Sequence, residues 1–391
     1  MTTPITNRSY VAPYIKDVPR SGIRDFFEIV STRKDIISLG IGEPDFVSPW
    51  NICEASVYAL EHGATSYTSN LGTIELRQAI CDYLSKFDLS YSPEEETLVT
   101  VGVSEALDLA IRAVVTPGDE VIYHEPAFVA YAPLITFAHG VPVSVTTRRE
   151  DNFHLRREAL EAVVTDRTRA LLINFPTNPT GAIMREDELR EIAQFAIDHD
   201  IVIITDEIYA ELTFGEKHVS IAKLPGMKER TILLNGLSKA WAMTGFRIGY
   251  ACAPHDLIEA MMKIHQYSMM CAPVLSQKGA EEALRGTQKD VQRMFLEYEK
   301  RRNFLCARFN EMGLPCQPPE GAFYAWPYIG DYGLTAMEFS MALLEEEDVA
   351  CVPGTAFGPS GEGFLRCAFA TSMDELKEAA DRIERFINKR K

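Results

Sequence analysis

The chain has 391 residues, enough for two to three domain-sized units and a large core. Hydrophobic residues make up 46% and charged residues 24%, the balance of an ordinary soluble globular protein. With 39 basic against 56 acidic side chains the net charge is −17, which argues against nucleic acid or an anionic membrane as partner.

That charge does not disfavour a phosphate-bearing ligand, because local arginines override a global sign. The start, MTTPITNRSYVAP, has no apolar core, and no run approaches the ~18 residues of a membrane span. Eight cysteines are scattered without CxxC pairing, and Cys53, Cys81, Cys252, Cys306, Cys351 and Cys367 sit in apolar contexts. They read as reduced core thiols of a cytoplasmic protein, and no metal site is expected.

Pro4, Pro13 and Pro19 punctuate an N-terminal arm. SGIRDFFEIVSTRKD then reads as an amphipathic helix with Ile23, Phe26, Phe27 and Val30 on one face. A packing helix and a lid over a site both fit that pattern. In IISLGIGEPDF, Gly40, Gly42 and Pro44 mark a turn where backbone can approach a ligand closely. TSYTSNLG is a polar loop with one aromatic, Tyr67.

From Glu96 strands and helices alternate. Strand TLVTV leads to helix SEALDLAIRAVV, strand EVIYH, the helix-like AFVAYAPLITFA and strand VPVSV. Helix REALEAVV, strand RALLINF and helix EDELREIAQFAID follow, then strands IVIITD, TILLN and GYACA. The pattern predicts an α/β fold with a mostly parallel, doubly wound sheet covered on both faces. Such sheets bind ligands at the carboxyl ends of their strands, and polar residues stand there. Gly102, Val103 and Ser104 open a helix after TLVTV, so free N–H groups and the helix dipole face an anion. Neither GxGxxG nor GxxxxGK[ST] occurs, which lowers dinucleotide and nucleoside-triphosphate binding.

Phe128, after EVIYH, is either a ring that stacks on a flat ligand or a core residue. The two X-Pro steps of NFPTNPTG predict an extended, rigid loop that fixes the direction of Asn178. Asp206 ends the strand IVIITD, with Tyr209 three residues on, on the same face of a short helical turn. An acidic residue there can serve a ligand or only cap the next turn.

In NGLSKAWAMTGFRIG, Lys239 stands between two core strands, and Arg247 follows eight residues later. A partly desolvated lysine has a lowered pKa and can be the neutral amine that Schiff-base chemistry needs. Arg247 suits a phosphate through its planar fork. HDLIEAMMKIHQYSMM and the long segment QKGAEEALRGTQKDVQRMFLEYEKRRNFLCARFNEM read as helices leading into a smaller unit. There GAFYAWP, DVACVP and FLRCAFA predict a small sheet, closed by helix SMDELKEAADRIERFINKR. Arg366, in FLRCAF, is an arginine buried in a strand, which needs a carboxylate partner, internal or bound.

GLSKAWAMTGFRIG resembles the pyridoxal-phosphate lysine signature of the class I and II aminotransferases, enzymes of fold type I. The similarity runs from SLGIGEPDF to FLRCAFA and is closest to the branch holding aspartate and aromatic aminotransferases of bacteria and archaea. The chain is expected to divide into an N-terminal arm with part of the small domain (1–45), a large cofactor domain (46–285) and a small C-terminal domain (286–391).

The resemblance implies pyridoxal 5′-phosphate, held as an imine by Lys239, which also shuttles the substrate's α-proton. It implies that Asp206 keeps the ring nitrogen protonated, that Asn178 and Tyr209 bond the 3′-oxygen, and that Phe128 stacks on the ring. The phosphate would be anchored by Ser104, Ser238, Arg247 and the N–H groups of Val103 and Ser104. Tyr67 would join them from the other subunit of a homodimer. Arg366 and Asn178 would orient the substrate carboxylate beside Gly42.

The implied reaction moves an amino group from an L-amino acid to a 2-oxo acid such as 2-oxoglutarate. Some bacterial aspartate aminotransferases of this branch carry a lysine where this chain has Ser104, and use it to attract the distal carboxylate. Ile23, Ile41 and Phe128, expected at the distal pocket, are apolar, so an aromatic or large apolar donor is expected over aspartate. A carbon–sulfur β-lyase of the same fold also uses Lys239, Asp206 and Arg366. An intact Lys239 counts against a non-catalytic module.

Overall fold

A computed structural model describes residues 10–16, 18–20, 22–23 and 35–391. Its centre is a seven-stranded sheet. In chain order the strands are β2 (Thr97–Thr100), β3 (Glu120–Glu125), β4 (Val141–Thr146), β5 (Thr168–Asn174), β6 (Val202–Asp206), β7 (Thr231–Gly236) and β8 (Gly249–Cys252). β1 (Ile37–Ser38) lies outside this sheet. The spatial order is β2-β8-β7-β6-β5-β3-β4. β8 runs antiparallel to both neighbours, and every other pairing is parallel. Being antiparallel to β8, β2 points the same way as β7, so six strands end at one edge. The expected α/β architecture with a mostly parallel sheet is the one observed.

The sheet is covered on both faces, which explains its continuous apolar runs. In β5, Ala170 and Leu172 face one core cluster while Leu171 and Ile173 face another, and all four are buried. The helix Gly102–Val114 packs Ala106, Leu107, Leu109 and Ala110 into the first of these clusters.

A smaller three-stranded antiparallel sheet orders β11 (Val352–Pro353), β12 (Leu365–Ala368) and β9 (Tyr324–Ala325). β1 pairs in parallel with β10 (Val349–Ala350), which ties the segment leading to Gly42 to the C-terminal part of the chain. The helix Met373–Asn388 closes this part, burying Leu376, Ala379, Ala380, Ile383, Phe386 and Ile387 as one stripe. Its start is capped by Ser372, whose hydroxyl accepts from the Glu375 N–H.

The long segment from Gln277 is helical as expected, in two helices, Val274–Arg285 and Lys289–Met312; other expectations need correction. Between them Gln288 donates to the carbonyls of Ala283 and Gly286 and accepts from Trp241 Nε1, so its side chain satisfies a helix end that continuing the helix would otherwise satisfy. AFVAYAPLITFA is helical only over Tyr131–Phe137, and REALEAVV only over Arg157–Glu161. Cys53 is half-buried rather than in the core, whereas the other five cysteines named above are buried; all eight are unpaired. The expected helix from Ser21 lies outside the described residues apart from Gly22 and Ile23. Among the described residues no helix is long and apolar enough to cross a membrane, and no cluster of metal-ligating side chains occurs.

Candidate active site

The strand register sets residues side by side at the shared edge. Asn174 at the end of β5 pairs with Asp206 at the end of β6. Gly236 at the end of β7 pairs with Gly249, and Gly249 with Thr100. Over this edge lies a cavity of about 290 Å³. Gly42, Val103, Ser104, Phe128, Asn178, Asp206, Tyr209, Ser238, Lys239, Arg247 and Arg366 all line it. Eleven positions scattered from 42 to 366 thus meet in one place.

Lys239 stands in the turn after β7, and its Nζ donates to the Gly42 carbonyl at 2.6 Å. Burial, helped by the nearby guanidinium of Arg366, lowers its pKa from 10.5 to about 8, against the pull of Glu43. At pH 7 about one amine in ten is then neutral, against fewer than one in a thousand for an ordinary lysine.

Asp206 is buried, and that burial raises its pKa from 3.8 to about 6, so it remains mostly ionised at neutral pH. Tyr131 donates to Oδ2 at 2.9 Å and the Ile208 N–H to Oδ1 at 3.2 Å. The carboxylate therefore caps the following turn and also faces the cavity.

Arg366, on β12, is 2% exposed. Its Nη1 donates to Asn178 Oδ1 at 3.0 Å and its Nη2 to the Gly40 carbonyl at 2.6 Å. The rings of Tyr324 and Phe357 lie 4.4 and 4.7 Å from the guanidinium carbon. Among the described residues no carboxylate pairs with it, and Nε has no partner. The internal salt bridge is thereby set aside, and a buried cation is left with Nε–H and the second hydrogens of Nη1 and Nη2 unused.

The loop that holds Asn178 is a hydrogen-bonded turn and not the extended run expected from its prolines. Thr177 Oγ1 donates to the Asn174 carbonyl, and the Asn178 N–H to Asn174 Oδ1. Asn174 Nδ2 also donates to the Asp206 carbonyl, so one side chain fixes both Asn178 and Asp206.

At the other end of the cavity, Gly102 opens its helix with φ +75°. A Cβ there would lie 2.7 Å from Arg247 Nη2. A Cβ on Gly249 would lie 2.6 Å from the Gly102 carbonyl carbon and the Val103 nitrogen. The two glycines let the helix start, β8 and Arg247 converge, leaving N–H groups and an exposed guanidinium together.

Two expected residues stand apart. Ile41 is 48% exposed and does not line the cavity, whereas Ile23 does. Tyr67 is 80% exposed and does not reach the cavity of its own chain. Phe128 is half-buried, edge-to-face with Tyr131 at 5.7 Å. Sequence reasoning missed Tyr131, Asn174 and Tyr324. Asn174 carried a signal, a polar residue ending an apolar strand as Asp206 does. The two tyrosines carried none, since each sits among core residues in the sequence.

The family model described as aminotransferase class I and II matches residues 34–383. YugH of Bacillus subtilis (strain 168) is 53% identical over 382 residues, covering 97% of this chain and 99% of that protein. The aspartate aminotransferase of Pyrococcus abyssi is 46% identical over 375 residues, covering 95% and 96%. The crystal structure of the aromatic aminotransferase from Pyrococcus horikoshii OT3 superposes with a TM-score of 0.90 at 45% identity, covering 94% of this chain and 99% of that one.

Proposed function

The chain belongs to the class I and II aminotransferases, and on that premise we propose that it uses pyridoxal 5′-phosphate to move the amino group of an aromatic or large apolar L-amino acid to a 2-oxo acid such as 2-oxoglutarate. The observation that carries the reading is one cavity holding a lysine with a lowered pKa, a buried carboxylate and a buried arginine with an unused donor.

The residues fit the cofactor. A phosphate matches Arg247, Ser238, Ser104 and the helix start at Val103 and Ser104, where the two glycines leave room. Asp206 would face a protonated ring nitrogen, and Phe128 would cover the ring. Asn178 gives its oxygen to Arg366, which leaves its amide N–H to donate to the ring oxygen beside Tyr209. Lys239 would be the attachment point.

When bound, pyridoxal phosphate supplies an electron sink for the pair left at the substrate's α-carbon. Arg366 would take the substrate carboxylate through the N–H groups it leaves unpaired, with Asn178 holding the fork in place. That grip orients the α-proton toward Lys239. Lys239 Nζ, poised near pH 8, would accept this proton as a neutral amine and return it on the product side.

The donor preference rests on the apolar wall of Ile23, Leu107 and Phe128, with Ser104 in place of a cationic side chain. Each methylene buried there favours binding by about 0.8 kcal/mol. Aspartate is the second reading, because a relative named for it is as similar as one named for aromatic amino acids. Measuring kcat/KM for phenylalanine, tyrosine and aspartate with 2-oxoglutarate decides between them. A tenfold preference for aspartate, about 1.4 kcal/mol of transition-state binding, would overturn the aromatic reading.

The same reading makes the protein a homodimer with shared sites. It is supported by the exposure of Val47, Trp50, Tyr58 and Tyr67 in one stretch of chain. The division at residues 45 and 285 belongs to it as well, supported by the helix break at Gly286. The unpaired thiols support a reducing, cytoplasmic setting.

A further inference from the structure

Tyr324 stands where three parts of the site meet. It belongs to β9 of the small sheet, one strand from Arg366 on β12, through the pairings Tyr324 with Ala368 and Ala325 with Cys367. Its ring packs on the Arg366 guanidinium, 4.4 Å from its carbon. Its hydroxyl lies 2.8 Å from the hydroxyl of Tyr209, which follows β6 of the large sheet. A Cβ on Gly42 would lie 2.8 Å from that same hydroxyl. The glycine thus leaves space for the phenol beside the carbonyl that holds Lys239.

Counting protons gives the tyrosine pair a direction. Each phenol has one O–H to donate and lone pairs to accept with. Both are buried, and burial keeps both protonated. If Tyr209 spends its proton on the ligand's ring oxygen, the bond between the tyrosines must run from Tyr324 O–H to the Tyr209 oxygen. A hydroxyl that accepts a hydrogen bond is polarised and becomes a stronger donor.

We propose that Tyr324 is a positioning residue that strengthens the hydrogen bond from Tyr209 to the cofactor's ring oxygen while its ring holds the Arg366 fork. The proposal rests on the reading of this cavity as a pyridoxal-phosphate site. It assigns Tyr324 a consequence that a core tyrosine would not have. The acid–base midpoint of the bound cofactor depends on a hydroxyl that need not touch the cofactor. Stabilising an anionic ring oxygen favours the deprotonated chromophore, so weakening that bond moves the midpoint up.

The test is a spectroscopic pH titration of the holoenzyme, with Tyr324→Phe, Tyr209→Phe and the double variant beside the wild type. Tyr324→Phe should raise the midpoint of the visible absorption by roughly 0.5 pH unit, less than Tyr209→Phe does. In the Tyr209→Phe background the second substitution should add nothing, because its route to the cofactor is gone. An unchanged midpoint in Tyr324→Phe, with a shifted one in Tyr209→Phe, overturns the proposal and leaves the site assignment standing. So do equal shifts in both backgrounds, which would mean a general effect of the substitution. A wild-type protein that gains no visible absorption with pyridoxal phosphate overturns the site assignment and the proposal together. Should Tyr324→Phe fail to fold, Gly42→Ala crowds the same hydroxyl and is expected to raise the midpoint; no rise in that variant overturns the proposal.

Discussion

Arg366 Nη1 and Asn178 Oδ1 lie 3.0 Å apart, joining a strand of the small sheet to a loop at the edge of the large one. Among the described residues neither meets a carboxylate there, and the guanidinium retains unpaired N–H groups for one.

Arg366→Lys keeps the charge but loses the fork. A lysine cannot bond Asn178, Gly40 and a carboxylate in the same plane. With one or two charge-assisted bonds lost, kcat/KM should fall by roughly 10²-fold. Asn178→Ala should cost less in carboxylate binding, and it removes the partner of Arg366 Nη1. Steady-state kinetics on both variants checks the order, and wild-type kcat/KM in Arg366→Lys would exclude the clamp.

The two shifted groups make opposite demands on stability in the cofactor-free protein. Lys239 has its pKa lowered from 10.5 to about 8, so the unfolded chain binds more protons between those values. Stability therefore rises with pH across that window. Lys239→Met removes the effect, and its advantage over wild type should be greatest below pH 8 and shrink toward 10.5. Asp206 is raised from 3.8 to about 6, so the folded chain binds more protons and stability falls as pH rises through that window. Asp206→Asn should gain on wild type over the same interval. Urea midpoints across both windows measure this, and parallel curves would show that neither shift exists.

Gly249→Ala places a methyl group against the backbone of Gly102 and Val103, which cannot yield as a side chain would. A loss of about 1–3 kcal/mol is expected by denaturation, together with weaker uptake of pyridoxal phosphate. Arg247→Ala should separate the two effects. Its side chain is exposed, so stability should change by no more than about 0.5 kcal/mol while the Kd for pyridoxal phosphate rises at least tenfold. Unchanged affinity in Arg247→Ala would remove this arginine from the phosphate site.

Tyr67 is tested by complementation. Lys239→Ala chains mixed with Tyr67→Ala chains should form heterodimers with one site of unmutated composition, and activity should return. Sedimentation of the wild type checks the assembly, and a fully active monomer would rule out shared sites.

Chemistry at strand ends was legible in the sequence because a doubly wound sheet aligns the carboxyl ends of its strands. Asp206, Ser104 and Lys239 could therefore be placed at one edge from their positions after apolar runs. The signature around Lys239 extended that reading to Arg247, and the block FLRCAF to Arg366. Contacts that bridge distant segments were decided only by the tertiary structure. Nothing in GAFYAWP distinguishes Tyr324 from a core tyrosine until the pairing of β9 with β12 sets it against Arg366 and Tyr209. Nor does the sequence show that Arg366 meets no carboxylate among the described residues, since pairing is a property of neighbours in space. Tyr131 reaches Asp206 for the same reason: 75 residues separate them along the chain, and only sheet packing brings them to 2.9 Å.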